Sequence, residues 1–364
     1  MIILAYYVIA FLLIRLLITN INYITQPFLP RSETKNTHCR VSVLIPARNE
    51  EKHIAELANN LRKQHHRADE ILFYDDCSSD ATASLIQSAM IQDSSIQLLR
   101  GVELPTSWLG KNFACFQLAQ QATGDYFLFL DADVIIDEYF IMDAINYLQK
   151  EQLGLLSIFP VQLMKTHGER ITVSLINWIL LTLLPLICIK KYPQPSLSAA
   201  IGQCMLFEAS KYRELSPHQQ VKDNPVEDIA IARLFKQKKI RTDALLSNGQ
   251  LKCRMYTDYI NACQGFSKNI LTLLGDSYVL LILFTLTTTF GWVVIAIQWH
   301  YIGLILYALS IISMRIQISY LSKQKLGTAF LYLFFEPLGF LGIVCYTLIK
   351  KIRKESILWK ERII

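Results

Sequence analysis

Asp131 and Asp133 close an apolar run, Tyr126 to Leu130, in the segment DYFLFLDADV at 125–134. Two carboxylates at i and i+2 just past a strand can reach one hard cation together with substrate oxygens. Mg2+ or Mn2+ held in this way commonly bridges a diphosphate. An Asp-x-Asp pair alone is more often a turn or a cap, so the acids elsewhere in the chain carry weight. Asp75 and Asp76 end a second apolar run in EILFYDDCSSDAT at 70–82, and Asp80 is placed there to cap the next helix. Glu227 and Asp228 open the stretch VEDIAIARLF at 226–235, an acidic helix start of the kind the helix dipole favours. Other chemistries find no support. The seven histidines are scattered, with His65-His66 read as a solvated pair, and no Ser/His/Asp triad stands out. The eight cysteines form no CxxC pair and no Cys/His ligand spacing, so they read as small core residues in a reducing compartment.

These acids need a scaffold. RVSVLIPARNEE at 40–51 is a buried strand ending near Pro46, then a turn feeding a helix to about Lys63. The segment at 70–82 repeats the plan, and 125–134 begins it a third time. Alternating strands and helices predict an α/β domain with a mostly parallel sheet, whose ligands bind beyond the carboxyl ends of the strands. The acid clusters sit at those ends.

The order of these motifs resembles that of the GT-A-fold, family-2-type glycosyltransferases, which use nucleotide-diphospho-sugars. VLIPARNEE looks like the family's first strand and loop, and YDDCSSDAT like its nucleotide-reading Asp-Asp-Gly-Ser-x-Asp, with Cys77 in place of the usual glycine. WLGKNFAC at 108–115 resembles the Gly-Lys segment beside the donor, DADV the metal motif, and VEDIAIARLFKQKK the Glu-Asp motif that supplies the catalytic base. More narrowly, CRMYTDYINACQGFSKN at 253–269 and the closing LWKERII resemble the membrane glycosyltransferases of carotenoid and hopanoid pathways, with Glu361 where glycine is usual. The resemblance implies a GT-A mixed, mostly parallel sheet with flanking helices. It assigns Pro46, Ala47, Arg48, Glu50, Asp75, Asp76, Lys111, Asp131, Gln264 and Lys268 to the nucleotide-sugar, Asp131 and Asp133 to Mg2+ or Mn2+, and Asp228 to the base. Glu227 then orients a neighbour, Phe266 shields the sugar, and Trp359 and Arg362 complete the site or anchor at the interface. For Arg48 and Lys111 a solvated surface cation is the bland alternative, as a juxtamembrane helix is for Gln264 and Lys268.

The rest of the chain is greasy. It has 364 residues, 52% of them hydrophobic, a mean hydropathy of +0.30 and a formal net charge of +6. No basic stripe with interleaved aromatics appears, which argues against nucleic acid as a partner. Residues 2–19 are long enough to cross a bilayer, and no charge precedes them as it would in a signal peptide. Arg15 is expected to snorkel toward the helix end, and Arg31, Lys35 and Arg40 place the chain from residue 20 onward in the cytoplasm. Residues 278–297 and 301–320 read as a spanning hairpin turning at QWHY, with Arg315 facing protein or the near interface. In 327–349, Glu336-Pro337 interrupts the run and KKIRK comes after it, which suggests a re-entrant hairpin broken at Pro337. Residues 172–189 are flanked by basic residues on both sides. They cannot cross once without separating Asp131 and Asp133 from Asp228, so an interfacial or re-entrant helix kinked at Pro185 is expected.

The expected organisation is a transmembrane helix at 1–20 and a cytoplasmic catalytic domain at 40–271, containing an interfacial or re-entrant helix at 172–190. Membrane helices at 276–349 and a basic cytoplasmic tail at 350–364 complete it, so transmembrane helices lie at both ends. The resulting reading is a multi-pass cell-membrane enzyme. It would pass a sugar, with inversion, from a nucleotide-diphospho-sugar such as a UDP-hexose to a lipophilic acceptor, with membrane lipids around it. A processive polysaccharide synthase and an inactive scaffold are the rivals. The first usually carries a Gln-x-x-Arg-Trp element that is absent here, and the second fits poorly with intact metal acids and base.

Overall fold

Seven short apolar runs between residues 41 and 246 pair into one sheet. The computed structural model describes residues 1–32 and 39–353 and the backbone of 358–359 and 362–363. Lys35 and Glu361 lie outside the described residues, as do the side chains of Trp359 and Arg362. The chain divides into two compact units, one of Met1–Gln26, Gln162–Ile187 and Met255–Ile364, the other of Pro27–Val161 and Cys188–Arg254.

The second unit holds the sheet. Its strands are β1 Val41–Ala47, β2 Glu70–Asp75, β3 Ile96–Arg100, β4 Tyr126–Leu130, β5 Val134–Ile136, β6 Leu155–Phe159, β7 Val161–Gln162, β8 Cys204–Glu208, β9 Thr242–Leu246 and β10 Leu251–Cys253. The large sheet runs β3-β2-β1-β4-β8-β6-β9, and β5 pairs antiparallel with β10 in a small second sheet. β1 lies parallel between β2 and β4, while β8 runs antiparallel to both β4 and β6. The sheet is therefore mixed and mostly parallel with flanking helices, as expected.

β1, β2 and β4 are buried along nearly their whole length, as befits strands covered on both faces. Helices Ile54–Arg62, Thr82–Gln92, Gly110–Gln121 and Glu227–Gln237 supply cover with their apolar faces. The core joins Leu44, Leu72, Phe113, Phe127, Phe129, Phe207 and Phe235 into one cluster. The chain leaves β1 toward β2 on one side and reaches β4 on the other. The carboxyl ends of β1 and β4 thus flank the switch point where such sheets bind ligands.

The first unit is helical. Among the described residues two helices are long and apolar enough to cross a membrane, Ile2–Thr25 and Tyr278–Leu321. The second is broken at Trp299 and at His300, which has φ 48°, within the turn the sequence suggested. Each arm of about twenty residues is about 30 Å long, one hydrocarbon thickness.

Arg15 does not snorkel. It is buried, donates to Thr182 Oγ1 at 3.0 Å and lies 4.5 Å over the Trp178 ring, so a hydroxyl and an aromatic face replace water around it. The segment 172–189 is broken, not merely kinked, into Ser174–Leu183 and Ile187–Lys191. Pro185 prevents continuation, and Asn22 satisfies the backbone groups this leaves. Its amide donates to the Leu181 and Leu184 carbonyls at 3.0 and 2.9 Å and accepts from Leu186 N at 2.8 Å. Arg315 faces protein, buried in an ion pair with Glu336. Pro337 sits in the first turn of helix Phe335–Ile352, where its missing N–H costs nothing, and a separate short helix, Leu326–Leu331, precedes it.

Candidate active site

Four sequence-predicted residues meet at the carboxyl end of β4. Asp131 comes directly after the strand, and its backbone N donates to Gln203 O at 3.2 Å, which continues the pairing with β8. Lys111 occupies the first turn of helix Gly110–Gln121, and its Nζ lies 2.8 Å from Asp131 Oδ1 and 3.2 Å from Glu227 Oε1. Glu227 and Asp228 form the first turn of helix Glu227–Gln237, where exposed N–H groups favour carboxylates. Asp228 Oδ1 accepts from Ile229 N at 2.8 Å, and its Oδ2 accepts from Gly202 N at 2.9 Å.

Gly202 ties the cluster together. Its carbonyl also accepts from Lys111 Nζ at 3.4 Å, and a Cβ there would come within 2.8 Å of that nitrogen and 3.0 Å of Glu227 Oε1. Nothing in the sequence signalled Gly202, a lone glycine just before a strand.

The electrostatics arise from burial and neighbours. Burial and then the Glu227 charge raise the Asp228 carboxyl to about 7, against hydrogen bonds and Lys111 that favour ionisation. Burial works against the Lys111 charge, but Asp131 and Glu227 outweigh it and hold the ammonium well above its ordinary range. Lys111 is thus a fixed cation between two carboxylates, Asp131 and Glu227.

Asp133 lies two residues on, next to β5. The thiol of buried Cys253 is pushed well above its ordinary range, first by burial and then by Asp133 and Asp131, with a smaller push from Glu50. Asp131 and Asp133 are thus both charged neighbours of that buried thiol. Among the described residues no group of three or more His, Cys, Asp or Glu could cage a metal. A cation held by these hard oxygens would take its other ligands from substrate oxygens and water, the usual habit of Mg2+ and Mn2+. The donor set fits such an ion.

The ends of β1 and β2 form a second cluster. Pro46 and Ala47 lie in register with Tyr74 and Asp75. Asp75 and Asp76 are largely buried, and Asp75 Oδ1 accepts from Ser78 N at 3.2 Å. Arg48 donates to the Asp76 carbonyl at 2.6 Å, so in this structure it braces the loop. Glu50 N donates to Thr82 Oγ1 at 2.7 Å. Asp80 is not the N-cap of helix Thr82–Gln92, a place taken by Ala81; one residue earlier, its Oδ1 accepts from Thr82 N at 2.9 Å and its Oδ2 from Glu51 N at 3.1 Å. Cys77 has φ 53°, the left-handed conformation that favours glycine, and the loop keeps its shape around a side chain. Gln264 and Lys268 belong to the helical unit, in and just after helix Tyr259–Ser267, where Phe266 packs edge-on against Tyr256.

The sheet order and the acids at its carboxyl ends define a GT-A fold. Residues 42–215 match the family model for glycosyl transferase family 2. That match includes Lys111, Asp131 and Asp133 but stops short of Asp228. The chain is similar to the 4,4'-diaponeurosporenoate glycosyltransferase of Staphylococcus haemolyticus (strain JCSC1435), 25% identical over 233 residues, 63% of this chain and 60% of the relative. The enzyme of that name from Staphylococcus aureus (strain MRSA252) is 24% identical over 254 residues, 68% of this chain and 65% of the relative. The chain thus spans about three fifths of the length of the curated relatives it matches. Among solved structures, the mannosyltransferase PcManGT from Pyrobaculum calidifontis, in complex with GDP-Man and Mn2+, superposes with a TM-score of 0.58 at 16% identity. That match covers 97% of this chain and 100% of the other.

Proposed function

We propose that this protein transfers a hexose from a nucleotide-diphospho-sugar, a UDP-hexose, to a lipophilic acceptor such as a carotenoid, hopanoid or other lipid, inverting the anomeric centre. The observation that carries this reading is the juxtaposition of Lys111 with Asp131 and Glu227, beside an Asp228 carboxyl raised to about 7. A carboxylate with that proton affinity suits a general base working near neutrality. In a single displacement the acceptor oxygen bonds to the anomeric carbon as the bond from that carbon to the phosphate oxygen breaks. The hydroxyl proton passes to Asp228, and the nucleoside diphosphate departs.

Asp131 and Asp133 would hold Mg2+ or Mn2+, which when bound neutralises charge on the departing diphosphate. Lys111 stays protonated and faces the same phosphates. Asp75 and Asp76, framed by Pro46, Ala47 and Arg48, accept hydrogen bonds from the base or ribose, with Glu50 beside them. Gln264 and Lys268 are assigned to the nucleotide-sugar by the resemblance alone, with Lys268 as a phosphate contact.

Mass spectrometry of lipid extracts from cells with and without the intact gene tests this directly. We expect a lipid heavier by one hexose to vanish without it. A ladder of repeated hexose additions would instead indicate polymerisation. An unchanged lipidome, together with no UDP-hexose hydrolysis by the purified protein with Mn2+, would sink the reading.

The site is proposed to face the cytoplasm, where nucleotide-sugars are made and where the basic flanks point. Helix Ser174–Leu183 and helix His167–Thr172, which runs into it through helical Val173, together reach about 25 Å and carry Glu169 and Arg170, short of an apolar crossing of about 30 Å. Single-cysteine variants near positions 150 and 215 should both resist membrane-impermeant reagents applied from outside. Labelling at only one of them would mean that the chain crosses between them and would separate the acids of the site.

A further inference from the structure

Buried side chains behind Asp131 and Asp133 form a connected path that the reaction itself does not use. Gln203 immediately precedes β8, and its carbonyl accepts from Asp131 N at 3.2 Å. Its side-chain amide donates to Cys253 Sγ at 2.7 Å. Cys253 ends β10 in register with Val134, the residue after Asp133, and its thiol hydrogen-bonds to the Asp133 carboxylate. Gln203 and Cys253 are 3% and 0% exposed, so neither is available to touch substrate from solvent. One residue thus fixes the backbone of Asp131 while its amide, through a thiol, fixes the side chain of Asp133.

We infer that Gln203 and Cys253 are positioning residues that hold the Asp131 and Asp133 carboxylates in one orientation for a divalent cation. The inference rests on the proposed metal role of those two aspartates. A ligating carboxylate has two oxygens and rotates about its last bond, so a donor on one oxygen decides which face the other presents. Such outer partners typically change metal affinity by about 10-fold to 100-fold when removed. The thiol is suited to the place because its sulfur accepts from Gln203 while its one hydrogen is left for Asp133. Alanine at 253 would break that path at its middle, whereas serine would restore a donor and an acceptor.

The test measures Mn2+ binding to the full chain in detergent, by electron paramagnetic resonance with UDP present, and compares wild type with Cys253→Ala, Cys253→Ser and Asp133→Asn. We expect Cys253→Ala to bind Mn2+ about 10-fold more weakly and Cys253→Ser to lie within about threefold of wild type. UDP binding in EDTA and the thermal transition should stay close to wild type in both. Mn2+ affinity unchanged in Cys253→Ala would overturn the inference, as would equal loss in the serine and alanine variants. Asp133→Asn separates the two levels. If wild type binds and Asp133→Asn does not, the metal reading stands whatever Cys253 does. If wild type binds no Mn2+, that reading fails and the inference falls with it.

Discussion

Replacing Asp228 with asparagine should lower transfer to a hydroxyl acceptor by about 100-fold to 10,000-fold, the usual range for loss of a general base. The amide keeps the size of the side chain but cannot take a proton. Its one oxygen can keep the bond from Ile229 N at the cost of the one from Gly202 N, so the first turn of the helix should persist and donor binding should change little. An acceptor that is itself a carboxylic acid behaves differently. Its ordinary pKa near 4–5 means that it arrives ionised and has no proton to give at neutral pH. Asp228→Asn should then cost little, or raise the rate by removing a charge that repels the nucleophile. Paired acceptors differing only in alcohol versus acid read this out at one donor concentration. Equal loss on both would assign Asp228 to donor binding or to structure, and the base assignment would fail.

The parts of this site that could be read from the sequence are those whose chemistry is contiguous. Asp131 with Asp133, Asp75 with Asp76, and Glu227 with Asp228 each sit next to a strand or helix signal, so local pattern alone places them at element ends. Gly202, Gln203 and Cys253 carry no such signal. Gly202 acts through backbone N–H and C=O groups, and Cys253 reaches the aspartates only because β10 pairs with β5. Non-local pairing of that kind leaves no trace in a short window. The helical unit shows the same division. The turn in QWHY is a polar interruption of an apolar run and was legible. The Asn22 contacts that accommodate Pro185, and the aromatic faces that draw Arg15 inward, depend on helices far apart in the chain. At Cys77 local expectation favoured glycine, and the backbone adopts φ 53° with a side chain in place.

Lys111→Met should alter the pH dependence of the reaction as well as its rate. In the wild type, Asp228 must be ionised to accept a proton, so activity should rise with pH and be half-maximal near 7, the value to which burial and Glu227 bring this carboxyl. Lys111 opposes that rise in proton affinity from its place between Asp131 and Glu227. Without the ammonium, Asp131 and Glu227 lose their shared counter-charge and Asp228 faces the Glu227 charge unrelieved. The sign is then fixed: Asp228 holds its proton to higher pH, and the acid limb of the profile moves upward. A shift of about one unit corresponds to about 1.4 kcal/mol of lost interaction, a reasonable share for one neighbouring charge. At pH 7 the proposed contact of Lys111 with the donor phosphates is lost as well, so the total fall should reach roughly 100-fold, with partial recovery toward pH 8.5. Lys111→Arg keeps the positive charge and should leave the limb near its wild-type position even if the rate drops through poorer fit. Profiles of kcat/KM from pH 5.5 to 9 decide the matter. A uniform loss at every pH, with the limb unmoved in Lys111→Met, would confine Lys111 to the donor phosphates and break its link to the base.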